Sequence, residues 1–90
     1  MSKAVASAAF AALVLAAAPA LAAEACTKEP KSAWMTQDAA KAKAVALGYT
    51  PSKVKEEDAC WEVYAKDAKG DRWELFLNPV SGELVRKKAN

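Results

Sequence analysis

Two alternating runs on either side of a short polar turn constrain this chain more than any other feature. Cys60 to Lys66 reads CWEVYAK, and Arg72 to Asn78 reads RWELFLN. Apolar and polar residues alternate with the period of a half-buried strand, and aromatic and β-branched side chains are frequent. Asp67-Ala68-Lys69-Gly70-Asp71 between them has the chemistry of a type I turn closed by a glycine in the left-handed region. If Asp67 faces Asp71, then Ala65 faces Trp73, Val63 faces Leu75 and Trp61 faces Leu77, all on one side of the hairpin. The other side pairs Tyr64 with Glu74, Glu62 with Phe76 and Lys66 with Arg72. A slip of one residue would scatter both sets, so turn chemistry and hydrophobic pattern specify the same register.

The remaining elements attach to this hairpin. Thr36 is a good N-cap, and Asp38 in the first turn suits the helix dipole. Met35 and Ala40 have the spacing of a hydrophobic staple. The expected helix runs from Gln37 to Leu47, with Gly48 as its left-handed terminator and Ala40, Ala44 and Leu47 as its inward stripe. Beyond the break at Tyr49-Thr50-Pro51, Ser52 to Glu56 reads as a short first strand carrying Val54. Asn78-Pro79-Val80-Ser81-Gly82-Glu83 is a second turn feeding a last strand, Glu83 to Lys87. Lys87 and Lys88 would blunt its exposed edge. The expected fold is α+β, in the order α-β-β-β-β: one N-terminal helix packed on an antiparallel meander of three to four strands. Leu47, Trp61, Val63, Trp73, Leu75 and Leu77 are its expected core.

The N-terminal segment 1–22 has a different character. Lys3 provides a positive start, Ala8 to Ala18 is uncharged and apolar, and Ala20-Leu21-Ala22 is a small-x-small cleavage signature, as in a secretory signal. The apolar stretch is shorter than the roughly 20 residues a spanning helix needs, which argues against an uncleaved anchor. A charge at Glu24 argues against lipidation at Cys26. Removing 22 of the 90 residues leaves 68, arranged as a tether over 23–35 and a domain over 36–90. Lys3 leaves with the signal, so 12 basic residues face 11 acidic ones. That balance carries no footprint for nucleic acid or for an anionic membrane. The expected compartment is the periplasm or the exterior. There Cys26 and Cys60 would be oxidised to a structural disulfide that ties the tether to the domain. Closing a loop of about 35 residues is worth about 3–4 kcal/mol in the chain-entropy model.

The residues offer little catalytic chemistry. The chain has no histidine, so Ser-His and Cys-His pairings are excluded along with the commonest general base. Glu56-Glu57-Asp58 is a carboxylate cluster without the alternating spacing of an EF-hand loop. It supports an alternative function, a small-ligand or metal-ion binding protein, but reads first as a solvated turn. Gly48, Gly70 and Gly82 mark a helix end and turns, not a phosphate loop. No cofactor, metal site or catalytic residue is expected. Trp61 and Trp73 read as core, and Trp34 is divided between packing at the helix start and exposure. The outer face of the hairpin is the remaining candidate surface. Tyr64 and Phe76, flanked by Glu62, Glu74, Lys66 and Arg72, have the aromatic and mixed-charge character of a protein interface. The tether is the alternative cover for the same face, and the turn tips near Lys69 and Ser81 are an alternative docking point.

From Trp34 to Val85 the chain resembles the PepSY domain in its short, exported, single-domain form. The resemblance rests on Trp34-Met35-Thr36 at the helix entry and Gly48-Tyr49-Thr50 at its exit. It continues through Cys60-Trp61-Glu62-Val63-Tyr64-Ala65, the Lys69-Gly70 turn and the Asn78-Pro79-Val80-Ser81-Gly82-Glu83 turn. The family usually has Asp before the proline, where this chain has Asn78. The resemblance implies a helix on an antiparallel sheet and a non-enzymatic role in modulating peptidases of the envelope or exterior. It brings no active-site residue with it.

Overall fold

The computed structural model describes residues 25–90, and the segment read as a secretory signal lies outside them. Helix α1 (Gln37–Ala46) is followed by strands β1 (Thr50–Glu57), β2 (Cys60–Lys66), β3 (Arg72–Leu77) and β4 (Leu84–Ala89). The strands form one antiparallel sheet in the order β1-β2-β3-β4, and α1 lies against β1 and β2. This is the α+β meander anticipated from the sequence, with β1 longer than the Ser52–Glu56 segment expected.

The central hairpin has the expected register throughout, from Trp61 opposite Leu77 to Lys66 opposite Arg72. Asp67 holds the turn. Its backbone N–H donates to the Asp71 carbonyl, and its Oδ1 accepts from the N–H groups of Lys69 and Asp71 at 2.9 and 3.0 Å. Its Oδ2 accepts from the Trp73 indole at 3.0 Å, which anchors that side chain over the sheet. This indole bond is the main reason the Asp67 carboxyl titrates below its ordinary value.

Helix α1 begins as anticipated, with Thr36 Oγ1 accepting from the Ala39 N–H at 3.0 Å. Ala40 and Ala44 are fully buried. They meet Val63, Ala65, Leu75 and Leu77 in the core, with Met35, Tyr49, Val54, Trp61, Trp73 and Leu84 packed around it. Small helix residues bring the helix close to the sheet, which supplies the bulk. The two tryptophans expected in the core flank it, each half-buried with its indole N–H bonded at the margin.

Leu47 corrects the expected core: it is 48% exposed. The helix closes in a Schellman motif, with the Gly48 N–H on the Val45 carbonyl and the Tyr49 N–H on the Ala44 carbonyl. Gly48 has φ +96°, the left-handed value this closure requires. The chain thereby folds Tyr49 back against the core in the place that helical periodicity assigned to Leu47.

The N-terminal segment follows the end of the sheet opposite the Asp67–Asp71 turn. Cys26 and Cys60 are joined by a disulfide, and the Cys26 N–H donates to the Asp58 carbonyl. Asn78 connects this segment to the β3–β4 turn. Its Nδ2 donates to the Cys26 carbonyl, while its Oδ1 accepts from the N–H groups of Val80 and Ser81. Trp34 is half-buried and meets Trp61 edge-on, with ring centroids 5.3 Å apart.

Candidate functional site

The helix covers one face of the sheet and leaves the other to solvent. The register places three rows across that outer face. Thr50, Lys66 and Arg72 lie at the end nearest the Asp67–Asp71 turn. Lys53, Tyr64, Glu74 and Lys88 form the next row, followed by Lys55, Glu62, Phe76 and Arg86. All four strands therefore supply the surface. Sequence reasoning found only the contribution of β2 and β3, and missed Lys53, Lys55, Arg86 and Lys88. The missed signal was cations at alternate positions of the flanking strands, which places each pair on one face.

The candidate residues divide into a buried centre and an open groove. Glu62 and Phe76, expected to be exposed contact residues, are only 2% and 4% accessible. Two long cationic side chains of β4 lie over Phe76. The Arg86 guanidinium sits 4.4 Å from the Phe76 ring centroid, and Lys88 Nζ lies 6.0 Å from it. Lys88 Nζ also stands 3.8 Å from the Glu74 carboxylate. Stems of Lys and Arg commonly bury apolar surface while their charges stay in water. A partner approaching this face therefore meets the cations, not Phe76.

Glu62 is electrostatically unusual. Its Oε1 makes no hydrogen bond among the described residues, although it is buried. Burial pushes its carboxyl up from 4.5 to about 7, helped by a hydrogen bond and charge repulsion from Glu74; Lys55, across the strand, opposes the shift. A carboxyl with that environment keeps its proton to near neutrality, when an exposed one would have lost it.

The groove lies at the other end of the outer face, with a volume of about 460 Å³. Pro51, Lys53, Tyr64, Lys66, Arg72 and Asn90 are among its lining residues. A bulge at Ser52 shapes its wall, where the Ser52 hydroxyl donates to the Tyr64 carbonyl. Lys53 Nζ lies 5.0 Å from the Tyr64 ring centroid, within cation–π range. Three of the expected contact residues, Tyr64, Lys66 and Arg72, thus meet in one concavity.

The other candidates do not converge. Glu56 and Glu57 project to opposite faces of β1, and Asp58 stands in the following turn with φ +52°. Glu56 pairs with Lys31 at 2.7 Å, and Asp58 with Arg86 at 3.8 Å. No group of three or more metal-ligating side chains comes together among the described residues. The turn near Ser81 is docked, not free: Pro79 is fully buried, the Met35 N–H donates to the Pro79 carbonyl, and Gly82 lies under the Lys43 side chain.

Neither the curated proteins nor the solved structures gave a match. Comparison with known families matched residues 6–88, nearly the whole chain, to the peptidase propeptide and YPEB domain. The matched span begins within the segment read as a secretory signal and runs to Lys88 in β4. The helix on a four-strand antiparallel meander, and the extended match across it, lead to one conclusion: the chain belongs to the PepSY_2 family.

Proposed function

We propose that this protein is an exported, non-enzymatic binding module that docks an envelope or secreted protein through the outer face of its sheet. A peptidase is the partner class to test first, because the family is described by peptidase propeptides. The observation that carries the reading is the outer face itself. It presents Tyr64 and a field of cations from all four strands, and the helix packs elsewhere. The disulfide suits an oxidising compartment and agrees with the signal-like N-terminus.

Docking by the Ser81 turn is the weaker alternative, since that turn is held against the helix start and the Lys43 stem. Affinity capture tests the reading directly. The bait is the disulfide-bonded protein, produced by export of the full chain and offered to periplasmic and secreted extracts. The outer-face control carries Tyr64→Ala and Lys66→Ala, and the helix-face control Lys41→Ala and Lys43→Ala. Phe76 is left intact because truncating a buried aromatic would damage the sheet. One partner lost with the outer-face variant and kept by the helix-face variant is expected. A partner kept by the outer-face variant, or none on any bait, overturns the reading.

A further inference from the structure

Lys66 and Arg72 stand directly opposite one another on adjacent strands. Like charges in that position repel and destabilise the pair. Neither makes an ion pair with any described residue, and Lys53 lines the same concavity with its charge against Tyr64. Elsewhere on the outer face, Glu74 is engaged with Lys88. The groove therefore combines the cationic side chains of Lys53, Lys66 and Arg72 with an apolar lining from Pro51 and Tyr64. Its volume of about 460 Å³ accommodates a few side chains.

We propose that this groove captures a short acidic segment of the partner, its carboxylates bridging Lys66 and Arg72 and a neighbouring apolar side chain resting on Tyr64 and Pro51. The inference rests on the docking role above and names the chemistry of the docked segment. Charge complementarity identifies the occupant: a carboxylate between Lys66 and Arg72 replaces a cross-strand repulsion by two charge-assisted contacts. Arg72 presents a planar fork that matches a carboxylate, and Lys66 a rotatable ammonium. The apolar wall favours a peptide over a bare anion, which would leave Tyr64 and Pro51 unused.

The test uses the ¹⁵N-labelled, disulfide-bonded protein and a blocked hexapeptide of alternating Glu and Phe. The same peptide with Gln for Glu is the neutral control, and anionic lipid vesicles and a single-stranded oligonucleotide are the competing anions. Saturable amide shifts centred on Lys53, Tyr64, Lys66 and Arg72 are expected with the acidic peptide and not with its Gln counterpart. The Lys66→Gln/Arg72→Gln variant should bind the acidic peptide about fivefold more weakly or worse, since it removes two partly exposed charge contacts. Its spectrum without peptide should remain that of the folded protein, because both side chains are exposed. Shifts that fail to saturate, shifts away from the groove, or equal binding by the double variant would overturn the proposal. Vesicles or oligonucleotide moving the same amides at lower concentration would also overturn it, reassigning the groove to lipid or nucleic acid. If the peptide fails but capture still depends on Tyr64 and Lys66, only the acidic-segment inference falls. If the peptide binds as expected but no protein partner is captured, the docking role falls and the groove stands.

Discussion

Replacing Glu62 by glutamine should stabilise the protein at neutral and alkaline pH, and the size of the effect follows from where the carboxyl sits. In the unfolded chain this group titrates near 4.5; in the fold it titrates near 7. Below the unfolded value both states are protonated, and the carboxyl imposes no electrostatic penalty. Between the two values the unfolded chain loses the proton that the fold retains, so stability falls as pH rises through this window. Above about 7 the folded state carries a buried carboxylate beside Glu74 and the whole penalty is present. At 1.36 kcal/mol per pH unit, the interval sets a ceiling of about 3 kcal/mol, which solvent screening and the titration shared with Glu74 lower. A glutamine side chain has nearly the same shape, cannot ionise, and still offers a donor to Glu74. Urea unfolding of both proteins at a series of pH values between 4 and 9 checks this. Glu62→Gln should match the parent near pH 4 and gain up to about 3 kcal/mol by pH 8. For a domain of this length that gain raises Tm by roughly 10–20 °C. Asp67 does not confuse the measurement. Its lowered carboxyl stabilises the fold above its unfolded value near 3.8, and that contribution is lost only on going more acid. Parallel pH profiles for the two proteins would refute the reasoning, and so would a glutamine variant less stable than the parent at pH 8.

Three further outcomes follow from the fold. Asp58 and Ala59 both have positive φ, +52° and +56°, in the two-residue turn between β1 and β2. Ala59→Gly should relieve the left-handed strain and stabilise by about 1 kcal/mol, read by denaturant midpoint; a loss would argue against this turn. Cys26→Ala/Cys60→Ala should cost about 3 kcal/mol and free the N-terminal segment, seen as faster exchange of the backbone amides at position 26 and at Met35. Leu75→Ala, which empties a fully buried site, should cost about 2–5 kcal/mol, while Leu47→Ala should change stability by under about 0.5 kcal/mol. Equal losses for the two leucines would return Leu47 to the core.

Much of the fold was legible because local and long-range signals agreed. The Asp67–Asp71 turn and the flanking alternation each specified the same pairing, and the Thr36 cap and Gly48 terminator bounded the helix. What the sequence concealed had physical causes. Ala59 is an unfavourable residue for a left-handed turn, so nothing in the sequence marks the tight β1–β2 connection, and β1 extends beyond the Ser52–Glu56 segment that the alternation suggests. Helical period alone placed Leu47 inward, whereas the Schellman closure exchanges it for Tyr49. On the outer face, a polar residue in an alternating strand reads as solvated. Glu62 is instead buried between its cross-strand neighbours Lys55 and Phe76, and Arg86 and Lys88 lay their stems over Phe76. Those stems also decide the candidate site: they remove Phe76 from contact and leave Tyr64, Lys66 and Arg72 accessible in the groove.

Lysines are spread over every surface of this domain, so a lysine-acetylation footprint of the protein alone and in complex with its captured partner tests the docking face most directly. Lys53, Lys55, Lys66 and Lys88 belong to the outer face, Lys41 and Lys43 to the helix, and Lys69 to the β2–β3 turn. Docking by the outer face predicts that the partner protects Lys53 and Lys66 while Lys41, Lys43 and Lys69 react as before. Protection of the helix or turn lysines, with Lys53 and Lys66 still reactive, would contradict it.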